Sequence, residues 1–266
     1  MPKLFDDLYV WIFAKPLFVK LNRKLYFLSL KGQGILNYEN SSLSGESGWL
    51  KKYLKTSQSP VVFDVGANVG KYSKDIRNIC FDATIYAFEP HPKNFMCLKE
   101  NVSSNTKIFN IALGRRSGEL QLYDYFEKDG SSHASLYREV IEEIRHQRSI
   151  KYDVKVKTLD DFCHEKKIQK IDLLKIDVEG HELQCLLGAL DLLKQDKIKA
   201  IQFEFNEMNI ISHSTFKDFW DLLRGFKFYR LLPNGHLLYI KEYNPLYCEI
   251  YAYQNIVALS NSCNTT

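Results

Sequence analysis

Ten residues, Val61-Val62-Phe63-Asp64-Val65-Gly66-Ala67-Asn68-Val69-Gly70, constrain this chain more than any other stretch. Val and Phe fill four of the first five positions, which predicts a buried strand. The glycines with Asn68 between them predict a tight loop, and Lys71 to Ile79 carries apolar residues at helical spacing. Strand, loop and helix in this order are the first half of a nucleotide-binding βαβ unit. Gly66 and Gly70 let the backbone approach a ligand with no Cβ in the way, and the helix start offers unpaired N–H groups to an electronegative group. Roughly twenty residues further on, the strand Thr84–Phe88 ends in Glu89, whose carboxylate is placed to accept both hydroxyls of a ribose.

The spacing selects among adenosine cofactors. A dinucleotide fingerprint is G-x-G-x-x-G, whereas the pattern here is Gly66-x-x-x-Gly70. A P-loop needs four residues between its glycines and then Lys-Ser/Thr, but Gly70-Lys71 is followed by Tyr72. What remains is an adenosine ligand without a pyrophosphate, with Asp64 at the strand end where a ligand ammonium can sit. S-adenosylmethionine meets that description. The loop, the Glu89-Pro90 pair and the later Lys175-Ile176-Asp177-Val178-Glu179-Gly180-His181-Glu182 resemble the FkbM family of methyltransferases, over about Ile35 to Ile256. The resemblance implies an α/β, class I Rossmann-like methyltransferase fold: a mostly parallel seven-stranded sheet with an antiparallel last strand and helices on both faces. It also implies S-adenosylmethionine as cofactor, with Gly66, Ala67, Asn68, Gly70, Glu89 and Pro90 around it.

A chain of 266 residues, 45% of them hydrophobic, buries a full core as one α/β domain. The net charge of +4 is spread among mixed acids and bases, which does not point to nucleic acid. The cysteines 80, 97, 163, 185, 248 and 263 form no C-x-x-C pair and are read as reduced and structural. Near the N-terminus, Leu8 to Ala14 is strongly apolar but is preceded by Asp6 and Asp7 and closed by Lys15-Pro16, well short of the roughly 20 residues a spanning helix needs. Neither a transmembrane segment nor a signal peptide is expected, and a cytoplasmic location follows. One or two helices packed on the domain or on a second subunit are the favoured reading. An interfacial helix placing Lys15, Lys20, Arg23 and Lys24 against lipid headgroups is the alternative. The two-glycine turn at Gly32 and Gly34 and the polar run to Glu46 predict a lid-like loop, giving an extension over 1–45, a catalytic domain over 46–259 and a disordered tail over 260–266.

Beyond Glu89, Pro92 marks a first helical position and Lys107–Phe109 a short strand. Asn110 and Ala112 then fall at a strand C-terminus, where doubly wound sheets place ligands, and are assigned to the adenine. From Arg115 to Arg148 the pattern loosens: a strand at Glu119–Tyr123, a turn at Asp129–Ser132 and a charged, mobile helix at Arg138–Arg148 read as an acceptor cover. Asp160 and Asp161 follow Thr158 as helix-capping acids.

The apolar run from Ile171 acquires Lys175, Asp177 and Glu179 at spacing two, on one side of a strand end. The next strand repeats the device with Gln202, Glu204 and Asn206. Burying such groups is costly unless they pair or meet a ligand, so the two strand ends are read as an active site. The sulfonium activates the methyl group, leaving positioning and proton removal to the protein. Asp177 or Glu179 is the expected base, Lys175 the cation beside it, and Glu204 and Asn206 the groups that orient the acceptor. A metal held by Asp177, Glu179 and Glu204 is conceivable but no ligand spacing demands it, and none is expected. The resemblance to the FkbM family implies O-methylation of a sugar, glycan or other small molecule, with a homodimer as a further expectation. The rival readings are an NAD-dependent sugar oxidoreductase and a non-catalytic glycan-binding protein.

Overall fold

The computed structural model describes residues 3–40, 42–55 and 57–262. Its strands, in chain order, are β1 (Val61–Val65), β2 (Thr84–Phe88), β3 (Lys107–Phe109), β4 (Ala112–Leu113), β5 (Gly118–Tyr125), β6 (Ser149–Lys157), β7 (Ile171–Ile176), β8 (Ile198–Phe205), β9 (Phe226–Leu232), β10 (His236–Ile240) and β11 (Gln254–Ser260). The helices that frame the site are α1 (Lys3–Phe13), α2 (Val19–Gly32), α3 (Glu46–Lys55), α4 (Lys71–Ile79), α5 (Pro92–Asn101), α6 (Leu159–Lys166) and α7 (Glu182–Leu187).

The main sheet runs β10-β9-β11-β8-β7-β1-β2-β3. Strands β3, β2, β1, β7 and β8 are parallel, and β11 is inserted antiparallel between β8 and β9. Seven of these strands match the expected sheet with its antiparallel last strand. The eighth, β10, extends the edge as a hairpin from β9 through the Pro233–Gly235 turn. Because the chain leaves β1 toward β2 on one side and returns to β7 on the other, a crevice opens at the C-terminal ends of β1 and β7. Neighbouring β1 residues serve opposite faces, as the period of two requires: Phe63 packs with Phe88, Phe162 and Phe203, Val62 with Trp49, Leu50 and Ile76.

The loosely patterned insertion is an ordered three-stranded sheet, β4-β6-β5. Instead of a mobile charged helix, Val140–Ile144 forms one π-helical turn, fixed because Val140 and Ile141 are fully buried. Thr158 caps α6 by accepting from Asp161 N–H, and Asp160 accepts from the N–H groups of Asp191 and Leu192, so both acids are structural. Ahead of β11, the Glu249 carboxylate accepts the backbone N–H groups of Phe216 and Lys217. One boundary differs from expectation. Ser260 belongs to β11 rather than to a tail, buried with its hydroxyl donating to Asp196, while residues 263–266 lie outside the described ones. The five described cysteines are free.

The N-terminal helices do not pack on the domain. Helix α1 buries none of its residues and α2 only Leu30. They tie to each other, with Tyr9 OH donating to Asn22 and Asn22 Nδ2 donating to Phe13 O. Among the described residues no helix is long and apolar enough to cross a membrane. The segment read as a lid is pinned at its start: Ile35 is fully buried and bridges Gln254, and Leu36 N–H donates to Tyr253 O.

Candidate active site

The glycine loop is shaped by contacts that only glycine permits. Gly66 has φ +80°, and a Cβ there would lie 1.8 Å from the Asp177 carbonyl oxygen. The ends of β1 and β7 therefore touch directly, joined by Asp177 N–H donating to Val65 O at 3.0 Å. Gly66 and Ala67 N–H both donate to Phe88 O, which bends the loop over the end of β2. Gly70, φ +87°, opens α4, where a Cβ would meet Val102 at 2.6 Å. Between them Asn68 donates its N–H to Glu89 Oε2 at 2.8 Å and its amide Nδ2 to Ser131 O at 3.2 Å. Glu89 Oε1 accepts His91 N–H at 2.8 Å. Burial outweighs these bonds and pushes the Glu89 carboxyl up to about 7.

Glu89 faces a cleft that opens to solvent, with about 710 Å³ of space between its walls and mouth. Its floor is Gly66, Asn68, Glu89 and Pro90, its apolar wall Phe88, Ile111, Ala112 and Leu113. The insertion closes it with Leu122, Ser131, Ser132, Ala134 and Leu136. That cover is latched: buried Asp124 accepts the N–H groups of Gly130 and Ser131, and His91 Nε2 sits 3.3 Å from Asp124 and 3.0 Å from Asp129. Among the described residues, the acids and histidine close enough together to share an ion are these three, and not Asp177, Glu179 and Glu204. Asn110 is exposed and outside the cleft lining; its amide donates to Glu89 O and Pro90 O, so it holds the loop that carries the acid.

A second cavity of about 780 Å³ shares Gly66, Asn68, Ser132 and Asp177 with the first and adds Glu46, Lys71, Tyr72, Asp75 and Lys175. Lys175, nearly buried, lies 2.9 Å from Asp177 Oδ2 and 3.9 Å from Asp64 Oδ1. Burial alone would pull its ammonium down, but Asp177, Asp64 and Glu46 together hold it above its usual range. Asp64 is fully buried, accepts the Ser73 hydroxyl at 2.7 Å and lines neither cavity, so it braces Lys175 from below. Burial raises its carboxyl, while Lys175 pulls it down.

The remaining acids divide by position. Glu179 lines the first cleft, 3.6 Å from Arg145, and burial pushes it up to about 8. Glu204 is raised by burial and by the nearby Asp177, Glu46 and Glu179. Asn206 donates to Glu204 at 3.4 Å and accepts Met208 N–H, which turns the chain after β8; neither residue lines the two cavities. Glu182 Oε1 accepts the N–H groups of Val178 and Gly180, and this bond pattern folds the motif turn. Its carboxyl is pushed by burial to about 7. Sequence reasoning missed Glu46 and Tyr72, which Gln202 joins by accepting Tyr72 OH at 2.9 Å and donating to Glu46 at 2.8 Å. The available signal was an acid opening the helix immediately after the Ser44-Gly45 turn.

These buried acids imply a pH dependence. Glu89, Glu182 and Glu179 sit at about 7, 7 and 8 against an ordinary 4.5. Acids raised by folding add stability that is complete below the unfolded value and is lost as pH climbs through the folded one. The melting temperature of the ligand-free protein is expected to fall as pH rises from about 4.5 to about 8, less steeply in Glu179→Gln. A flat or rising profile in wild type would contradict the burial of these acids as charged-form penalties.

The methyltransferase FkbM domain model matches residues 64–228. The chain is 24% identical to the 2-O-methyltransferase NoeI of Sinorhizobium fredii, over 66% of this chain and 76% of that protein. It is 31% identical to the methyltransferase sdnD of Sordaria araneosa, over 49% and 60%, and 29% identical to the hexuronic acid methyltransferase AglP of Haloferax volcanii, over 57% and 59%. It thus spans about three fifths of the length of these last two relatives. Among solved structures, the plantazolicin methyltransferase BpumL in complex with SAH is similar at a TM-score of 0.42 and 10% identity, over 95% of this chain and 93% of that one. With the glycine loop, Glu89 and the Asp177–Glu182 turn all inside the matched segment, the chain belongs to the FkbM family of methyltransferases.

Proposed function

We propose that the protein transfers a methyl group from S-adenosylmethionine to a hydroxyl oxygen of a sugar, glycan or similar polyhydroxylated small molecule. The observation that carries the reading is the meeting of two cavities at Asp177: one apolar-walled with an acid on its floor, the other lined by Glu46, Tyr72, Asp75 and Lys175. The first fits an adenosine. Glu89 has spent one acceptor site on each oxygen and keeps the others for a ribose diol, while Phe88, Ile111 and Leu136 offer the ring an apolar slot. When bound, the sulfonium supplies an activated methyl group.

The chain's own residues supply the rest. The loop Gly66–Gly70 and the latched cover at Ser131-Ser132 hold the donor in place and exclude water, which is the positioning term of a displacement reaction. Asp177 accepts the acceptor's hydroxyl proton at Oδ1 or Oδ2, with Lys175 fixed beside it to stabilise the developing oxyanion. The polar wall of the second cavity hydrogen-bonds the acceptor's other hydroxyls. The similarity to NoeI, a 2-O-methyltransferase, supports transfer to oxygen, and the similarity to AglP, a hexuronic acid methyltransferase, supports a carbohydrate acceptor. A methyl-transfer screen against nucleotide sugars and glycans with mass detection tests this; methylation confined to non-carbohydrate acceptors would refute the sugar assignment.

Glu89→Ala is expected to weaken S-adenosylhomocysteine binding by about 1.5–3 kcal/mol, the range for hydrogen bonds to a charged group. Calorimetry on a folded variant checks it, and wild-type affinity would remove Glu89 from the ribose.

A further inference from the structure

We propose that the α1–α2 hairpin is a docking surface for an anionic lipid bilayer. Exposed large apolar side chains crowd onto it: Leu17 is 84% exposed, Leu4 80% and Trp11 74%, and Phe5, Tyr26 and Leu28 are each more than half exposed. Soluble monomers rarely leave so much contiguous apolar surface uncovered. The hairpin is nonetheless a defined object, closed by the Tyr9–Asn22 and Asn22–Phe13 hydrogen bonds and by Phe13 packing edge-on against Phe18 at 5.1 Å. It is anchored to the catalytic domain through buried Leu30 and Ile35.

Charge identifies the occupant. From Lys3 to Gly32 the chain holds six bases (Lys3, Lys15, Lys20, Arg23, Lys24, Lys31) and two acids (Asp6, Asp7), a net +4. The whole chain carries net +4, so everything after Gly32 sums to zero and all the excess positive charge rides on the exposed apolar helices. Lys31 is paired with Glu39, while Lys20, Arg23 and Lys24 are exposed with bases outnumbering acids around them. Lys15 stacks over the Trp11 ring at 5.2 Å, the kind of amphipathic pair that sits at a headgroup boundary. The helices have 11 and 14 residues, too short to span a bilayer but suited to lying in its surface. A second copy of the chain fits less well, because pairing hairpins would set one +4 patch against another. The inference is independent of the acceptor's chemistry.

The test is co-sedimentation of the full chain with phosphatidylcholine vesicles, with and without phosphatidylglycerol, at low and high salt. Binding is expected only with phosphatidylglycerol, weakening at high salt, with a blue shift of tryptophan emission on binding that Trp11→Phe removes, since Trp49 is already buried and Trp220 is packed against Phe228 on the catalytic domain. The triple variant Lys20→Glu/Arg23→Glu/Lys24→Glu should bind these vesicles about a hundredfold more weakly. Its melting temperature and S-adenosylhomocysteine affinity should be unchanged, which excludes a folding defect. Equal partition onto both vesicles, absence of binding to either, or a concentration-dependent dimer that the triple variant disrupts while vesicles are ignored would each overturn the proposal.

Discussion

Asp177→Asn is expected to lose roughly 10²–10⁴-fold in methyl-transfer turnover while binding S-adenosylhomocysteine about as tightly as wild type. The substitution keeps the shape of the side chain and leaves an oxygen to accept from Lys175, but takes away the proton acceptor where the two cavities meet. Lys175 keeps Asp64 and Glu46 as counter-charges, and the Asp177 side chain is 34% exposed, so the stability cost should stay near 1 kcal/mol. Glu179→Gln is the contrast: its carboxylate faces Arg145 inside the first cleft, so its loss should move the pH–stability profile more than the chemical step. Single-turnover rates beside melting temperatures separate the roles. If Asp177→Asn and Lys175→Met lose turnover and stability together, the pair is a brace. Full rates in both amide variants would exclude proton abstraction by either acid.

Gly66→Val should abolish cofactor binding, weakening it by more than about a hundredfold, and should lower the melting temperature as well. A valine side chain meets the Asp177 carbonyl at its first carbon and Val178 Cγ1 at 3.3 Å, at a φ of +80° that a β-branched residue tolerates poorly. Relief requires the ends of β1 and β7 to separate, breaking the Asp177–Val65 hydrogen bond and displacing Asp177 itself. Gly225→Ala is the control, because a Cβ there meets nothing within 4 Å. Calorimetry on both variants checks the claim. Normal binding by the valine variant would mean that the close approach of these two strand ends is unnecessary.

The sheet and the loops at the C-terminal ends of its strands were legible because local patterns carry them. Val61–Gly70 and Thr84–Glu89 declare a strand, a turn and an acid through residue type alone, and Lys175–Glu182 announces a strand end by placing charges on an apolar run. What stayed hidden depends on side chains that meet across the fold. Asp64 reads as a ligand acid, yet Ser73 and Lys175 claim it beneath the loop. Asn110 reads as an adenine contact and is a backbone clip. Glu46 joins the site from a helix that precedes the first strand, which its place in the second cavity and its Gln202 hydrogen bond reveal. The insertion looked mobile since its charged face dominates the composition, while Val140 and Ile141, which fix it, are too few to set a period.

The central claim is that Glu89 and the glycine loop form an S-adenosylmethionine site, and calorimetric titration with S-adenosylhomocysteine tests it most directly. Wild type should bind one equivalent, Glu89→Ala should bind about ten- to a hundredfold more weakly, and NAD should not bind at all. Binding of NAD in place of S-adenosylhomocysteine, or equal affinity in wild type and Glu89→Ala, would contradict it.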